Sequence, residues 1–147
     1  GNFSGVLEYD GSQWRTIPVS NQSLVRSLAV DSNGTIYVGA VGEFGYLSPG
    51  NRGELVYHSL LEKTPPEYRQ FADVWKTYST PSGIYFQTYD HLFIFNKNGI
   101  KVIHPSNSFH FSFFVNGHFY ITDRGKGLMT LRDDSLVLAP NGEFFAD

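Results

Sequence analysis

Short apolar runs separated by glycine-containing turns dominate the pattern of hydrophobic positions along the chain. In three places a turn with glycine precedes a run of aromatic and β-branched residues: DSNGTIYVGA (31–40), TPSGIYFQTY (80–89) and FVNGHFYITD (114–123). Glycine favours the positive φ of tight turns, whereas Ile, Val, Tyr and Phe favour strands. The pattern therefore predicts a repeated strand that follows a turn, with turn glycines at Gly34, Gly83 and Gly117.

Further strand-like segments surround each of these turns. A first strand precedes the turn in LVRSLAV, FADVWKTYS and FHFSFF, and a short third strand follows in GYL, HLFIF and GLMTL. A fourth comes next in ELVYHSL, GIKVIHP and SLVLAP. Four short strands per unit, recurring after roughly 35–50 residues, indicate the blades of a β-propeller.

The sequence therefore predicts an all-β fold, a β-propeller fragment of about three and a half four-stranded antiparallel blades. Residues 1–20, which include GVLEYDG and WRTIPV, are predicted to form half a blade. Whole blades are predicted at 21–62, 68–105 and 106–141, and the start of another at 142–147. We expect Trp14 and Trp75 to pack between neighbouring sheets, because large aromatic side chains bury much apolar surface.

Two glycine-rich segments could be taken for phosphate-binding loops. They are GAVGEFG (39–45) and DRGKGL (123–128). A glycine-rich phosphate loop needs a following helix whose N-terminus holds the anion, and no helical pattern follows either segment. Both are therefore predicted to be loops between the second and third strands of a blade.

Composition and charge argue against several classes of function, including nucleic-acid binding and metal binding. The chain has 147 residues, of which 41% are hydrophobic and 16% aromatic, which favours a folded domain. Its net charge is −3 and it has no basic stripe, so nucleic-acid binding has no electrostatic support. The absence of cysteine excludes disulfides and cysteine-ligated zinc, and the five histidines show no short-spaced metal pattern. We predict no cofactor and no metal site.

Several segments together resemble the two-component regulator propeller family. These are GVLEYDGSQWRTI, VRSLAVDSNGTIYVGAVGEFGYL, VYHSL and FADVW, and the resemblance is strongest from Gly5 to Leu60. More narrowly, the chain is similar to the sensor regions of bacterial signalling proteins that also carry a triple-tyrosine-motif module. The resemblance implies a periplasmic or extracellular ligand-sensing segment of a bacterial receptor, with kinase or helix-turn-helix output elsewhere in the parent protein. It also implies that the ligand is an oligosaccharide or another small polar molecule.

Ligands of propellers usually meet the face formed by the loops between second and third strands. The residues predicted for that face are the candidate ligand-binding residues Glu43, Phe44, Tyr89, Asp90, His91, Asp123, Arg124 and Lys126. Charged groups would hydrogen-bond to sugar hydroxyls, and ring faces would stack on sugar C–H groups. The alternative is that these are ordinary solvated loop residues, since loops are polar whether or not they bind.

Two other roles stay open at this point. The acids Glu43, Asp90 and Asp123 occupy equivalent loops in successive blades, so they could converge as the acid pair of a glycan hydrolase or lyase. A purely structural role is the other alternative, because uncovered sheet faces and open strand edges favour association. We expect the chain to form a homodimer or to pair with the remainder of a propeller.

Overall fold

The computed structural model describes residues 3–146, in which antiparallel β-sheet is the dominant regular structure. The described strands form one two-stranded and three four-stranded sheets, and each sheet keeps its strands in chain order. This confirms the predicted all-β fold and is consistent with a propeller fragment of about three and a half blades.

The four sheets follow one another along the chain and are called sheets I to IV. Sheet I contains β1 (Val6–Tyr9) and β2 (Trp14–Ile17). Sheet II contains β3 (Val25–Val30), β4 (Ile36–Ala40), β5 (Glu43–Pro49) and β6 (Leu55–Ser59). Sheet III contains β7 (Lys76–Thr80), β8 (Gly83–Gln87), β9 (Leu92–Asn96) and β10 (Gly99–Ile103). Sheet IV contains β11 (Phe109–Val115), β12 (His118–Asp123), β13 (Gly127–Arg132) and β14 (Ser135–Leu138).

The helices in the described range are three short 3-10 segments. They are η1 (Leu61–Lys63), η2 (Pro66–Tyr68) and η3 (Gly142–Phe145). Within residues 3–146 there is no helix with the length and apolarity needed to span a membrane. The segment predicted to start a further blade, 142–147, forms η3 and includes Asp147, which lies outside the described residues. Gly1 and Asn2 of the predicted half blade also lie outside them.

Tight hairpins explain how such short strands follow one another. β11 turns into β12 at Asn116 and Gly117, whose φ values are 49° and 76°. Two consecutive residues with positive φ suit the twist of a two-residue hairpin, and Asn-Gly is the favoured pair for it. The Asn-Gly pair therefore favours this hairpin because both residues readily adopt positive φ.

Three apolar clusters join neighbouring sheets and make up the core. Sheets I and II share the buried residues Val6, Ile17, Val19, Val25, Val38, Ala40 and Leu47. Sheets II and III share Phe44, Leu60, Val74, Ile84, Phe86 and Phe93. Sheets III and IV share Tyr85, Leu92, Ile94, Ile103, Phe109, Phe119, Ile121 and Met129. Burial of this apolar surface between stacked sheets is the main stabilising contribution of the fold.

The prediction for the tryptophans is wrong. Trp14 is 66% exposed and lies against Tyr9 on the open side of sheet I, with ring centroids 4.9 Å apart. Trp75 is 37% exposed at the start of sheet III. Trp14 begins β2, and Trp75 directly precedes β7, where the Arg26 guanidinium of sheet II contacts its ring without burying it. Trp75 instead becomes part of a surface cleft.

Candidate functional site: an aromatic cleft between sheets III and IV

The prediction that Glu43 and Phe44 lie in an exposed loop is wrong. The connection between β4 and β5 contains only Val41 and Gly42, so Glu43 already belongs to β5. Glu43 is 2% exposed and Phe44 fully buried. The Glu43 carboxylate accepts hydrogen bonds from the Ser59 hydroxyl at 2.5 Å and the Tyr57 hydroxyl at 3.0 Å. These two candidate residues therefore stabilise sheet II and are not available to a surface ligand.

The prediction that Asp123 lies in an exposed loop is also wrong. It is the last residue of β12 and is 1% exposed. Its carboxylate accepts backbone N–H groups of Ser106 at 2.6 Å and Asn107 at 3.1 Å, and thereby fastens the β10–β11 connection to sheet IV. Glu43 and Asp123 are thus each engaged in a different sheet, whereas Asp90 is exposed. Within residues 3–146, no hydrogen bond connects Glu43, Asp90 and Asp123 to one another.

The remaining candidates do lie in connections between second and third strands. Tyr89, Asp90 and His91 belong to the β8–β9 connection, and Arg124 and Lys126 to the β12–β13 connection. All of them are exposed except His91, which is half-buried. Tyr89 and Arg124 line one depression of about 200 Å³ beside His110. These are the two predicted residues that the structure brings together.

The depression at Tyr89 adjoins a larger cleft between the first strands of sheets III and IV. This aromatic cleft has a volume of about 560 Å³. Its lining comprises Trp75, Lys76, Tyr78, Tyr89, His110, Phe111, Ser112, Phe113, Phe114 and Val115. A cleft of this size, mainly apolar with a few polar groups, has the character of a small-molecule site.

A β-bulge in β11 exposes the aromatic wall of the cleft. The register between β11 and β12 shifts between Phe109 and Ser112. The backbone N–H of Phe111 donates to the Thr122 hydroxyl at 2.9 Å, and Phe111 is 60% exposed. Bulges redirect side chains at the edges of sheets. Phe111 and Phe113 therefore face the cleft and not the core.

The opposite wall is formed by Trp75 and Tyr89. Their rings meet edge to face with centroids 5.7 Å apart. The Arg26 guanidinium lies 4.9 Å from the Trp75 ring and also pairs with Asp73. Cation–π contact and the edge-to-face pair both restrict the indole. The Trp75 ring is therefore held in place while part of its surface stays open.

A polar network connects the lining residues Tyr78 and Ser112 of the cleft to the buried Gln87. Gln87 is 1% exposed, and its side-chain amide donates to the carbonyl oxygen of His110 at 2.7 Å. The Ser112 hydroxyl donates to the Gln87 side-chain oxygen, and the Tyr78 hydroxyl donates to the Ser112 carbonyl oxygen at 2.8 Å. Burial raises the pKa of Tyr78, so its hydroxyl stays a donor at neutral pH. This network fixes β11 against sheet III, and nothing in the sequence analysis identified it.

A larger depression of about 880 Å³ lies at the opposite end of sheets II and III. Hairpin-turn residues such as Pro81, Ser82 and Asn98 contribute much of its lining. Its acid Asp31 already accepts the backbone N–H groups of Asn33 and Thr35, each at 2.9 Å. We favour the aromatic cleft as the candidate site because aromatic rings from two sheets line it and its residues Tyr78 and Ser112 are hydrogen-bonded in place. Within residues 3–146 no group of three or more His, Asp or Glu side chains could hold a metal ion.

His91 lies behind the candidate site in a ring cluster with Tyr68 and His104. The His91 and His104 centroids are 5.0 Å apart, and the Nδ1 atom of His91 is buried without a hydrogen-bond partner in the described part of the chain. Burial, and secondarily the nearby His104, lowers the pKa of His91, while Asp90 partly opposes the shift. A desolvated imidazole next to another imidazole disfavours the protonated form.

This cluster predicts that acid destabilises the fold through His91. The unfolded chain has a His91 pKa near 6.5, above that of the folded chain, so it binds more protons in the window between the two values. Stability is therefore full above about pH 7 and decreases as the pH falls through the folded-state pKa. Denaturation midpoints measured from pH 7.5 to pH 5 should show this decrease, and His91→Gln should flatten it. His118→Gln, at an exposed histidine, serves as the control. An unchanged pH profile in His91→Gln would exclude His91 as the cause.

Comparison with known proteins adds no identification. No protein-family model matches the chain, and no curated protein matches its sequence.

Proposed function

We propose that this chain is the ligand-sensing segment of a bacterial signal-transduction receptor, of two-component or one-component type, and that it binds an oligosaccharide. The proposed location is the periplasmic or extracellular side of the membrane. The observation that carries the proposal is the aromatic cleft, in which Trp75, Tyr89 and Phe111 present partly exposed rings to one space. The sequence resemblance to the two-component regulator propeller family supports the receptor assignment.

The cleft has the physical properties that sugar binding requires. The C–H faces of a pyranose ring stack on aromatic rings, and its hydroxyls need hydrogen-bond partners at the rim. Trp75 and Phe111 offer rings on opposite walls, while Lys76, His110 and Arg124 offer polar groups nearby. The Gln87–Ser112–Tyr78 network holds β11 against sheet III, so the backbone that carries Phe111 need not be ordered on binding. The proposal assigns no catalytic step to the chain.

A structural scaffold is the second candidate role. Leu7, Tyr9 and Trp14 form an exposed apolar patch on the open side of sheet I, with exposed fractions of 45%, 54% and 66%. Contiguous exposed apolar surface is typical of an interaction site. This patch favours association with a second copy or with the remainder of a propeller.

Binding measurements with cleft variants test the proposed function. A panel of oligosaccharides would be titrated calorimetrically against the chain, and Trp75→Ala or Phe111→Ala should each weaken the binding of a recognised sugar about tenfold. The reason is the lost stacking surface on one wall.

Trp14→Ala is the matched control, because Trp14 is also an exposed tryptophan but lies on sheet I. Thermal melts of all variants would confirm that the fold persists. Equal losses in Trp14→Ala and Trp75→Ala would contradict binding at the cleft. In that case the scaffold role would be supported if light scattering showed that oligomers of the parent chain dissociate in Trp14→Ala.

A further inference from the structure

We infer that the aromatic cleft selects anionic glycans, in which uronic-acid carboxylates or sulfate groups accompany the sugar rings. The inference rests on the proposed function and specifies its ligand class. It follows from the charges around the cleft, which differ in sign from the charge of the whole chain.

Two cationic side chains, Lys76 and Arg124, border the cleft and the depressions beside it. The cleft and the two depressions beside it, of about 200 and 430 Å³, share His110 in their linings. Among the described residues, their combined lining includes the cations Lys76 and Arg124 and contains no Asp or Glu. The chain as a whole has a net charge of −3, so this is a local excess of positive charge.

Two nearby carboxylates, those of Asp73 and Asp123, are engaged elsewhere. Asp73, two residues before Trp75, pairs with the Arg26 guanidinium. Asp123, next to Arg124, accepts two backbone N–H groups and is buried. The exposed acids Asp90 and Glu143 adjoin the lining residues Tyr89 and Phe144, but both lie outside the three linings. The cations at the cleft therefore keep their charge available to a ligand.

Neither Lys76 nor Arg124 forms an ion pair within the described part of the chain. The ion pairs found there are Arg15–Glu8, Arg26–Asp73 and Lys101–Asp134. Lys76 lies on β7 beside Trp75, whereas Arg124 follows β12 on the other side of the space. An extended anionic oligosaccharide could thus stack on the aromatic walls and place acidic groups at both sides. Charge-assisted hydrogen bonds from Lys and Arg to carboxylate or sulfate are stronger than those to neutral hydroxyls.

The test compares matched acidic and neutral oligosaccharides. Trigalacturonic acid and a chondroitin sulfate disaccharide are the acidic probes, and cellotriose and xylotriose are the neutral probes. In calorimetry at low salt, an acidic probe should bind at least about tenfold more tightly than either neutral probe. Raising the sodium chloride concentration to about 0.3 M should weaken acidic binding several-fold because salt screens exposed charges.

Charge-removing variants connect this preference to the cleft. Lys76→Gln and Arg124→Gln should each weaken binding of the acidic probe about fivefold, since each removes one charged contact. Both side chains are exposed, so their replacement should leave the melting temperature unchanged. Lys97→Gln, in the exposed hairpin turn between β9 and β10, is the control and should bind like the parent chain.

The outcomes separate this inference from the proposed function. Tighter binding of a neutral probe that still depends on Trp75 would overturn the anionic preference and leave the oligosaccharide function standing. Acidic binding that is lost equally in Lys97→Gln would show non-specific attraction and overturn the inference. Failure of all four probes to bind would count against both.

Discussion

Replacing Phe44 with alanine should lower the free energy of unfolding by about 3–5 kcal/mol. Phe44 is fully buried where sheets II and III pack together. Its ring stacks on Phe86 with centroids 4.6 Å apart and lies 4.9 Å from Phe93 and 5.5 Å from Phe71. Truncation removes all three contacts and leaves a cavity that strands held in register on both sides can fill only partly.

Chemical denaturation of the parent chain and the variant measures this loss. Phe144→Ala is the control, because Phe144 is 77% exposed and its truncation should change stability by less than about 0.5 kcal/mol. If Phe44→Ala lost less than about 1 kcal/mol, the described packing between sheets II and III would be wrong. The outcome also distinguishes the buried position from the loop position that the sequence suggested, where truncation would affect binding and leave stability intact.

The repeat itself could be predicted from the sequence because it is encoded locally. Each hairpin depends on a turn of few residues and on short runs of β-favouring side chains, as in VNG before HFYITD. The order of strands in a meander then follows from chain order alone. Local signals of this kind explain why the four-stranded units were predicted correctly.

The strand boundary at Glu43 could not be predicted because glycine occurs both in loops and at close contacts within strands. Gly39 and Gly45 suggested a loop, yet they lie inside β4 and β5. A Cβ at Gly45 would lie 2.0 Å from the His58 carbonyl oxygen, and one at Gly39 would lie 2.5 Å from the Ser27 hydroxyl. Glycine is required here for close approach between chain segments, which only the tertiary structure reveals.

The aromatic cleft was only partly predictable for a related reason. Strand alternation in FHFSFF would place Phe109, Phe111 and Phe113 on one face. The bulge after Phe109 shifts the phase, so that Ser112 is buried and Phe111 and Phe113 are exposed. A shift of one residue exchanges the two faces of a strand, and this bulge has no sequence signature. Tyr89 and Arg124 were predicted because their loops follow directly from the repeat.

Glu43→Ala should cost about 3 kcal/mol of stability, because three donors would lose their common acceptor. The donors are the hydroxyls of Tyr57 and Ser59 and the backbone N–H of Phe44, which lies 3.1 Å from the carboxylate. Burial, and then the neighbouring carboxylate of Glu43, raises the pKa of Tyr57, so this hydroxyl is always protonated and always needs an acceptor. Removing only the acceptor leaves the buried N–H of Phe44 and two half-buried hydroxyls unsatisfied, which costs more than the hydrogen bonds contribute.

Glu43→Gln separates this structural role from a role in ligand binding or catalysis. The amide keeps the shape and one acceptor oxygen, so the loss should shrink to about 1 kcal/mol, and Glu62→Ala, at an exposed acid, should be neutral. Oligosaccharide affinity of the folded Glu43→Gln variant should equal that of the parent chain, because Glu43 lies in sheet II and outside the lining of the cleft. If Glu43→Gln kept full stability but failed to bind or process a sugar, Glu43 would instead belong to the functional site. Asp123 accepts one backbone N–H on each of its two carboxylate oxygens, so Asp123→Asn, which keeps a single acceptor oxygen, should cost more stability than Glu43→Gln if both acids serve the fold.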